Sequence, residues 1–443
     1  MSATGPMHGS GLVVTPFRGL RYAAHRVSDL AAVTSPPYDV IDPDDAARLE
    51  DLDPHNVVRL ILPRGRSARP AAEQATTQDV PDSPVEAPAG YAEAARLLDS
   101  WRADGILDLD PDPALYVYEQ TGPGFLQRGV IAAVGLTDPD DGVVLPHEDV
   151  MAGPVADRLA LMRATGANLE PILLVYDGGG DAATVIEEVT RTEPVLSTAT
   201  PDGGHQRLWA VVDPELQQRI ATDLAPRQAL IADGHHRWAT YRRLQAERHA
   251  SGAGRGPWDH GLALLVDSRR HPLRVAAIHR VVAGMGLAEA ALLAAAVFEV
   301  SPAGHDLASA LTTLITAGSR HPYVVTDGNE FLLLADPEVA AVTAAVAPER
   351  SLQWRSLDAS VLHAVLLEGL WGLADPSPRV SYLHDADSAV RSARRLEGVA
   401  VLMRPVTVEN VMSLAAAGET MPRKSTSFGP KPRTGLIMRL LDP

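Results

Sequence analysis

The run Ala232-Asp233-Gly234-His235-His236-Arg237 gathers one acid, two imidazoles and a guanidinium around a single glycine. The apolar stretch Ala229-Leu230-Ile231 precedes it, and a segment with helical spacing follows. Strand, glycine turn and polar helix start together form a phosphate-binding geometry. The glycine lets the backbone turn and approach a ligand. The first N–H groups of a helix have no partner within it and lie at the positive end of its dipole. His235, His236 and Arg237 add donors at that same end, which is unfavourable unless an anion is bound there. The competing reading is a plain helix cap, with Asp233 near the N-cap and paired to Arg237. Zinc is disfavoured, because adjacent helical residues point about 100° apart.

Three further clusters carry chemistry. Segment 419–435 sets Arg423, Lys424, Lys431 and Arg433 among Ser425, Thr426, Ser427 and Thr434. Such cations and hydroxyls are the usual donors to phosphate oxygens. Prolines and glycines shape it as a loop, and an apolar strand over 436–441 follows it; a solvated basic tail is the alternative. Around His147-Glu148 a zinc-protease motif fails, because Met151 stands where the second histidine belongs. Glu148 reads as a general base, a magnesium ligand or an ordinary loop carboxylate. Beyond it, Arg158, Arg163 and Asn168 read as phosphate or substrate contacts, or as surface groups. Tyr38 and Asp39 sit in the turn Pro36-Pro37-Tyr38-Asp39-Val40, stiffened because each proline fixes its own φ and restricts the residue before it.

The elements that must position these groups alternate. Strands are expected over 13–22, 56–62, 171–176, 208–212, 227–232, 260–266 and 273–279, and a hairpin over 114–136. Helices are expected over 43–52, 91–105, 154–165, 183–192 and 214–223, and from His235 onward with a Trp238, Tyr241, Leu244 stripe. Such alternation implies an α/β or mixed α+β fold. Residues 1–10 read as a flexible tail and 64–90 as a disordered insertion rich in Ala, Pro, Ser, Thr and Gln.

The bulk numbers narrow the classes. The chain has 443 residues, 46% of them hydrophobic, enough for a large core. Its net charge of −17 disfavours general nucleic-acid binding. It has no cysteine, which removes disulfides, thiolate metal sites and cysteine nucleophiles. No signal peptide and no bilayer-spanning stretch is visible, so a cytoplasmic location is expected. Neither a G-x-G-x-x-G run nor a P-loop lysine motif is present.

Taken together, the motifs at 36–40, 147–148, 163–168, 232–237 and 421–435 resemble those of a widespread bacterial and archaeal family of unknown-function proteins. The Asp-Gly-His-His-Arg core also resembles the nucleotide-binding signature of the ParB/sulfiredoxin superfamily, which includes kinases acting on free L-serine. The resemblance implies a ParB/sulfiredoxin-like core within 201–443, elaborated by mixed-sheet and helical segments, and an N-terminal α/β region over 11–200. It departs from the usual pattern at Trp238 and at Ser427-Phe428-Gly429, which bear on the acceptor pocket.

The expected function is small-molecule phosphotransfer to the hydroxyl of free serine, from pyrophosphate or a nucleotide, with Mg²⁺. Glu148, Asp233 and His236 are expected to be catalytic, and Asp233 also to hold the metal. Gly234, His235, His236, Arg237, Arg423, Lys424, Ser425, Thr426 and Lys431 are expected to bind phosphate. Tyr38, Asp39, His147, Arg163 and Asn168 are expected to face the substrate. Partners are then small molecules, with no membrane and no nucleic acid; an oligomer is possible. A ParB-like nucleotide-binding regulator without kinase activity is the alternative.

Overall fold

The computed structural model describes residues 11–63, 89–200, 203–374 and 377–442. The expected tail at 1–10 and most of the insertion at 64–90 lie outside these residues. Ala89 and Gly90 instead open a helix, Ala89–Ala103. The chain forms two compact units, one of Met1–Leu273 with Pro430–Pro443 and one of Arg274–Gly429.

The first unit is built on a nine-stranded mixed sheet. Its strands are β1 (Val14–Thr15), β2 (Leu115–Gly122), β3 (Phe125–Gly135), β4 (Val144–Leu145), β5 (Ile172–Tyr176), β6 (Leu196–Ala199), β7 (His205–Val211), β8 (Ala229–Asp233) and β9 (His260–Asp267). They run in the order β4-β8-β5-β9-β3-β2-β7-β6, and β1 pairs with β3. The central strands β5 and β8 are buried along their whole length, as continuous apolar runs require when both faces are covered. Helices α1 (Ala152–Thr165) and α2 (His235–Ala250) belong to this unit. The α2 stripe Trp238, Tyr241 and Leu244 is buried in the same core as β5, β8 and β9.

The expected boundary near residue 200 is corrected by the sheet. Strand β9 pairs with β3 on one side and β5 on the other, so a cut at 200 would divide one continuous sheet. The C-terminal strand Met438–Leu440 also belongs here, between Gly19–Tyr22 and Ala167–Asn168. The strand expected at 56–62 is instead a helical turn, Val58–Ile61. Asn56 sets it, because its Oδ1 accepts from the Val58 N–H while its amide donates to Ala32 O.

The second unit has a six-stranded sheet, antiparallel at every pair. The strand expected over 273–279 is split. Arg274–Ala276 pairs with Ser427–Gly429, and His279–Val282 joins the six-stranded sheet. Taken together the chain is a mixed α/β protein.

Candidate active site

Strand direction brings the site together. β4 and β8 run parallel, with Leu145 opposite Leu230, so both end at one edge of the sheet. β5 runs antiparallel to β8, with Leu173 opposite Asp233, so Glu170 and Pro171 before it lie at that same edge. In open α/β sheets the carboxyl ends of strands are where ligands collect. The loop after β4 carries His147 and Glu148, and the turn after β8 carries Gly234 and the start of α2.

Gly234 is the N-cap of α2 and takes φ +97°, in the left-handed region that favours glycine. A Cβ there would stand 2.7 Å from Ile172 Cγ2. The loop at 34–39 and the segment at 430–434 lie side by side, joined by a Ser35–Thr434 bridge. Arg433 fastens them by donating to Thr34 Oγ1 at 2.7 Å and Thr34 O at 3.1 Å.

At the centre lies a network of charges. Lys431 Nζ pairs with Asp39 and, at 2.6 Å, with Asp233 Oδ1. Arg237 Nη2 donates to Asp233 Oδ2 at 2.6 Å, and Nη1 donates to Pro171 O. Burial would raise the Asp233 carboxyl, but Lys431 and Arg237 together hold it below its ordinary range. Glu170 is buried beneath these groups. Its Oε1 accepts from Tyr38 N–H and from Thr434 Oγ1, both at 3.0 Å. Burial pushes the Glu170 carboxyl up, against the pull of Arg237 and Arg158. Arg158 stacks 4.4 Å from the centre of the Tyr38 ring.

The two α2 histidines are held by the β4 loop. His235 Nε2 accepts from the His147 backbone N–H at 3.2 Å, and His236 Nε2 accepts from Met151 N–H at 3.1 Å. The His147 and His235 rings meet edge-on with centroids 4.5 Å apart. Burial above all lowers His147 and His235 to about 3, with the His235 ring adding to it for the first and His236 and Lys431 for the second, while Glu148 pulls His147 the other way. Glu148 is half-buried, with Oε2 3.8 Å from His235 Nδ1.

Several expectations change. The cations are not stacked uncompensated at the helix start, because both histidines accept hydrogen bonds and Arg237 faces Asp233. Asp233 and Arg237 do pair, as the cap reading expected, but Gly234 and not Asp233 is the N-cap, with no side-chain cap hydrogen bond; Arg237 is buried, 5% exposed. Asp233 gives both oxygens to cationic side chains, which leaves it an ion-pair partner rather than a metal ligand. Arg163 does not join the site. It pairs with Glu247, roughly 18 Å from His235 along α2 at the helical rise per residue. Asn168 is spent inside the fold, accepting from Arg439 at 3.1 Å beside Met162. Arg423, Lys424, Ser425 and Thr426 belong to the second unit, ahead of Ser427–Gly429. Sequence reasoning missed Glu170; its one signal was a lone acid directly before the apolar run of β5.

A family described as a protein of unknown function (DUF1015) matches residues 14–360, which include Asp39, Glu148, Glu170 and Asp233 to Arg237 but not Lys431. No curated protein matches the sequence. Among solved structures, a mutant free serine kinase in complex with ADP is similar at 15% identity, covering 66% of this chain and 86% of that one, with a TM-score of 0.34. SbnI with a C-terminal truncation, from Staphylococcus aureus, is similar at 12% identity, covering 70% and 87%, with a TM-score of 0.36. A conserved hypothetical protein from Pyrococcus furiosus is similar at 15% identity, covering 66% and 89%, with a TM-score of 0.31.

Proposed function

The chain belongs to this family, and we propose that it is a small-molecule phosphotransferase. The acceptor in this reading is the hydroxyl of free L-serine, and the donor is pyrophosphate or a nucleotide. One observation carries it: a left-handed glycine feeds a sixteen-residue helix at the carboxyl edge of parallel strands, with His235, His236 and Lys431 around the turn. Unpaired N–H groups at a helix start favour phosphate oxygens. An ammonium has three donors, and carboxylates take two of those of Lys431. The third is left for an anion. Arg423, Lys424, Ser425 and Thr426 are proposed phosphate donors on their residue types alone.

Glu148 is the proposed general base, a role that needs hydrogen-bond reach of the acceptor hydroxyl. The acceptor oxygen would bond to phosphorus as the bond to the donor's bridging oxygen breaks. The leaving group keeps that electron pair, and the hydroxyl proton passes to Glu148. Asp39, exposed beside Lys431, is proposed to meet the acceptor's ammonium, with Tyr38 lining its path. A resident Mg²⁺ does not fit the donor set. Asp233 is taken by cations, and no group of three or more His, Asp or Glu among the described residues could hold a metal ion. Mg²⁺ remains in the proposal only as a companion of the donor phosphates, which it commonly accompanies.

No helix among the described residues is long and apolar enough to cross a membrane; a cytoplasmic location and a small-molecule partner are part of the proposal. The test is incubation of the full chain with L-serine and pyrophosphate, ADP or ATP, with and without Mg²⁺. Phosphoserine should form, and Glu148→Gln should abolish it. No turnover with any donor removes the kinase reading, and tight nucleotide binding without turnover favours a regulator.

A further inference from the structure

We propose that His235 and His236 are locked as neutral Nδ1–H donors by the backbone of the β4 loop, and so serve the reaction as hydrogen-bond donors and not as nucleophiles or acids. The lock is geometric. A backbone N–H can only donate, so the nitrogen that receives it bears no hydrogen. His147 N–H points at His235 Nε2 and Met151 N–H at His236 Nε2, at 3.2 and 3.1 Å. A neutral imidazole that accepts at Nε2 carries its hydrogen at Nδ1. Both tautomers are thus fixed by one loop, in the way that a bond to one ring nitrogen fixes the role of the other.

The surroundings oppose adding a second proton to His235. His236 lies next to it on α2, Lys431 approaches from the C-terminal segment, and the His147 ring packs edge-on from the β4 loop. Glu148 is the one acid among these groups, 3.8 Å from Nδ1. It faces the nitrogen that already bears the hydrogen.

The chemical consequence rests on the phosphotransferase reading. A phosphohistidine needs an imidazole lone pair aimed at phosphorus. In each ring the Nε2 lone pair already receives a backbone N–H, and Nδ1 has none to offer. Neither ring can then carry the phosphoryl group, and in this reading the new bond from the acceptor oxygen forms as the donor's bridging bond breaks, with neither His235 nor His236 phosphorylated on the way.

The experiment uses the full chain labelled with ¹⁵N-histidine and long-range ¹H–¹⁵N spectra, which separate the two tautomers from imidazolium. Signals are assigned by their loss in His235→Gln and His236→Gln. Should either variant fail to fold, contacts to the His147 and Met151 amide protons assign them in the unaltered chain. Both rings are expected as Nδ1–H at pH 7, with the His235 pattern unchanged down to pH 5.5. Either ring appearing as Nε2–H or imidazolium at pH 7 overturns the proposal. Incubation with ³²P-pyrophosphate and an alkaline quench should leave no label on the protein; an alkali-stable, acid-labile label overturns it as well. Pyrophosphate titration reads the functional proposal separately. If titration with pyrophosphate, and then with ADP and ATP, moves no signal while the Nδ1–H pattern stands, the phosphotransferase reading fails and the lock survives.

Discussion

The first unit mixes parallel and antiparallel pairs in its sheet, whereas the six-stranded sheet of the second is antiparallel throughout. Antiparallel neighbours end on opposite sides, so each strand end sits beside a neighbour's start. A parallel pair ends on one side, and two loops emerge next to each other. The β4 and β8 loops do this in the first unit, and their residues bond directly. Buried arginines are held in two ways: Arg439 of the first unit donates to Asn168 Oδ1 and to the carbonyls of His260 and Pro257, with no carboxylate among these acceptors. Arg237 faces the carboxylate of Asp233. Arg280, in the second unit, is 0% exposed and donates to Met403 Sδ, to Ile278 O and toward His363 Nε2. The network around Asp233 lies at the edge where parallel strands end, and that position, rather than the presence of charge, marks it as the candidate site.

The sharpest way to break this comparison is to remove a network acid. Asp233→Ala leaves Arg237 and Lys431 without their shared partner in a buried setting, and breaking such a pair costs about 3–5 kcal/mol. Hydrogen exchange should show the first unit losing protection while Arg274–Gly429 keeps its own. Equal loss in both units would mean the network is not local. Next comes Gly234→Val, which combines a left-handed β-branched residue with a Cβ 2.7 Å from Ile172; strain and overpacking together should cost about 2–4 kcal/mol in urea unfolding. The matched control in the second unit is Gly418→Ala, with φ +73° but nothing within 4 Å. It should cost only about 1–2 kcal/mol.

Acid should separate the units more gently. His147 and His235 stay neutral down to about 3 when folded, whereas unfolded histidine takes its proton near 6.5. The unfolded chain then binds more protons between those values, so their contribution is full above pH 6.5 and falls as pH drops toward 3. Each buried histidine adds a slope of up to about 1.4 kcal/mol per pH unit. In the second unit His279 behaves the same way, but only down to about 4. Unfolding followed by hydrogen exchange from pH 7 to 4.5 should show His147→Gln flattening the slope of the first unit alone. The smallest effect is expected from Arg163→Ala. Its pair with Glu247 is exposed, and such pairs are worth about 1 kcal/mol or less. A large loss there would return Arg163 to the site.

Much of the scaffold was legible in the residues. The apolar run into Gly234 and the periodic stripe behind it announced β8, its turn and α2, because burial and helical period are local signals. The 114–136 hairpin was legible for the same reason. The unit boundary was not, because β9 inserts between strands made far earlier in the chain. Asn168 and Arg163 were misread because their partners, Arg439 and Glu247, are distant in sequence. The histidines are the instructive case. Their types suggested cations, whereas burial lowers His235 and the amides of His147 and Met151, which carry no signature in a sequence, each donate to one ring nitrogen.

Lys431 follows the whole of Arg274–Gly429 in the chain, yet it completes an ion cluster whose acids precede that segment. During synthesis the ribosome delivers Asp39 and Asp233 long before their shared cation. A nascent chain can lay down the large sheet, but its acidic edge waits uncapped until the intervening unit has emerged. Chains stalled within Arg274–Gly429 would therefore carry the nine-stranded sheet but lack both the Met438–Leu440 strand and the cation of the centre.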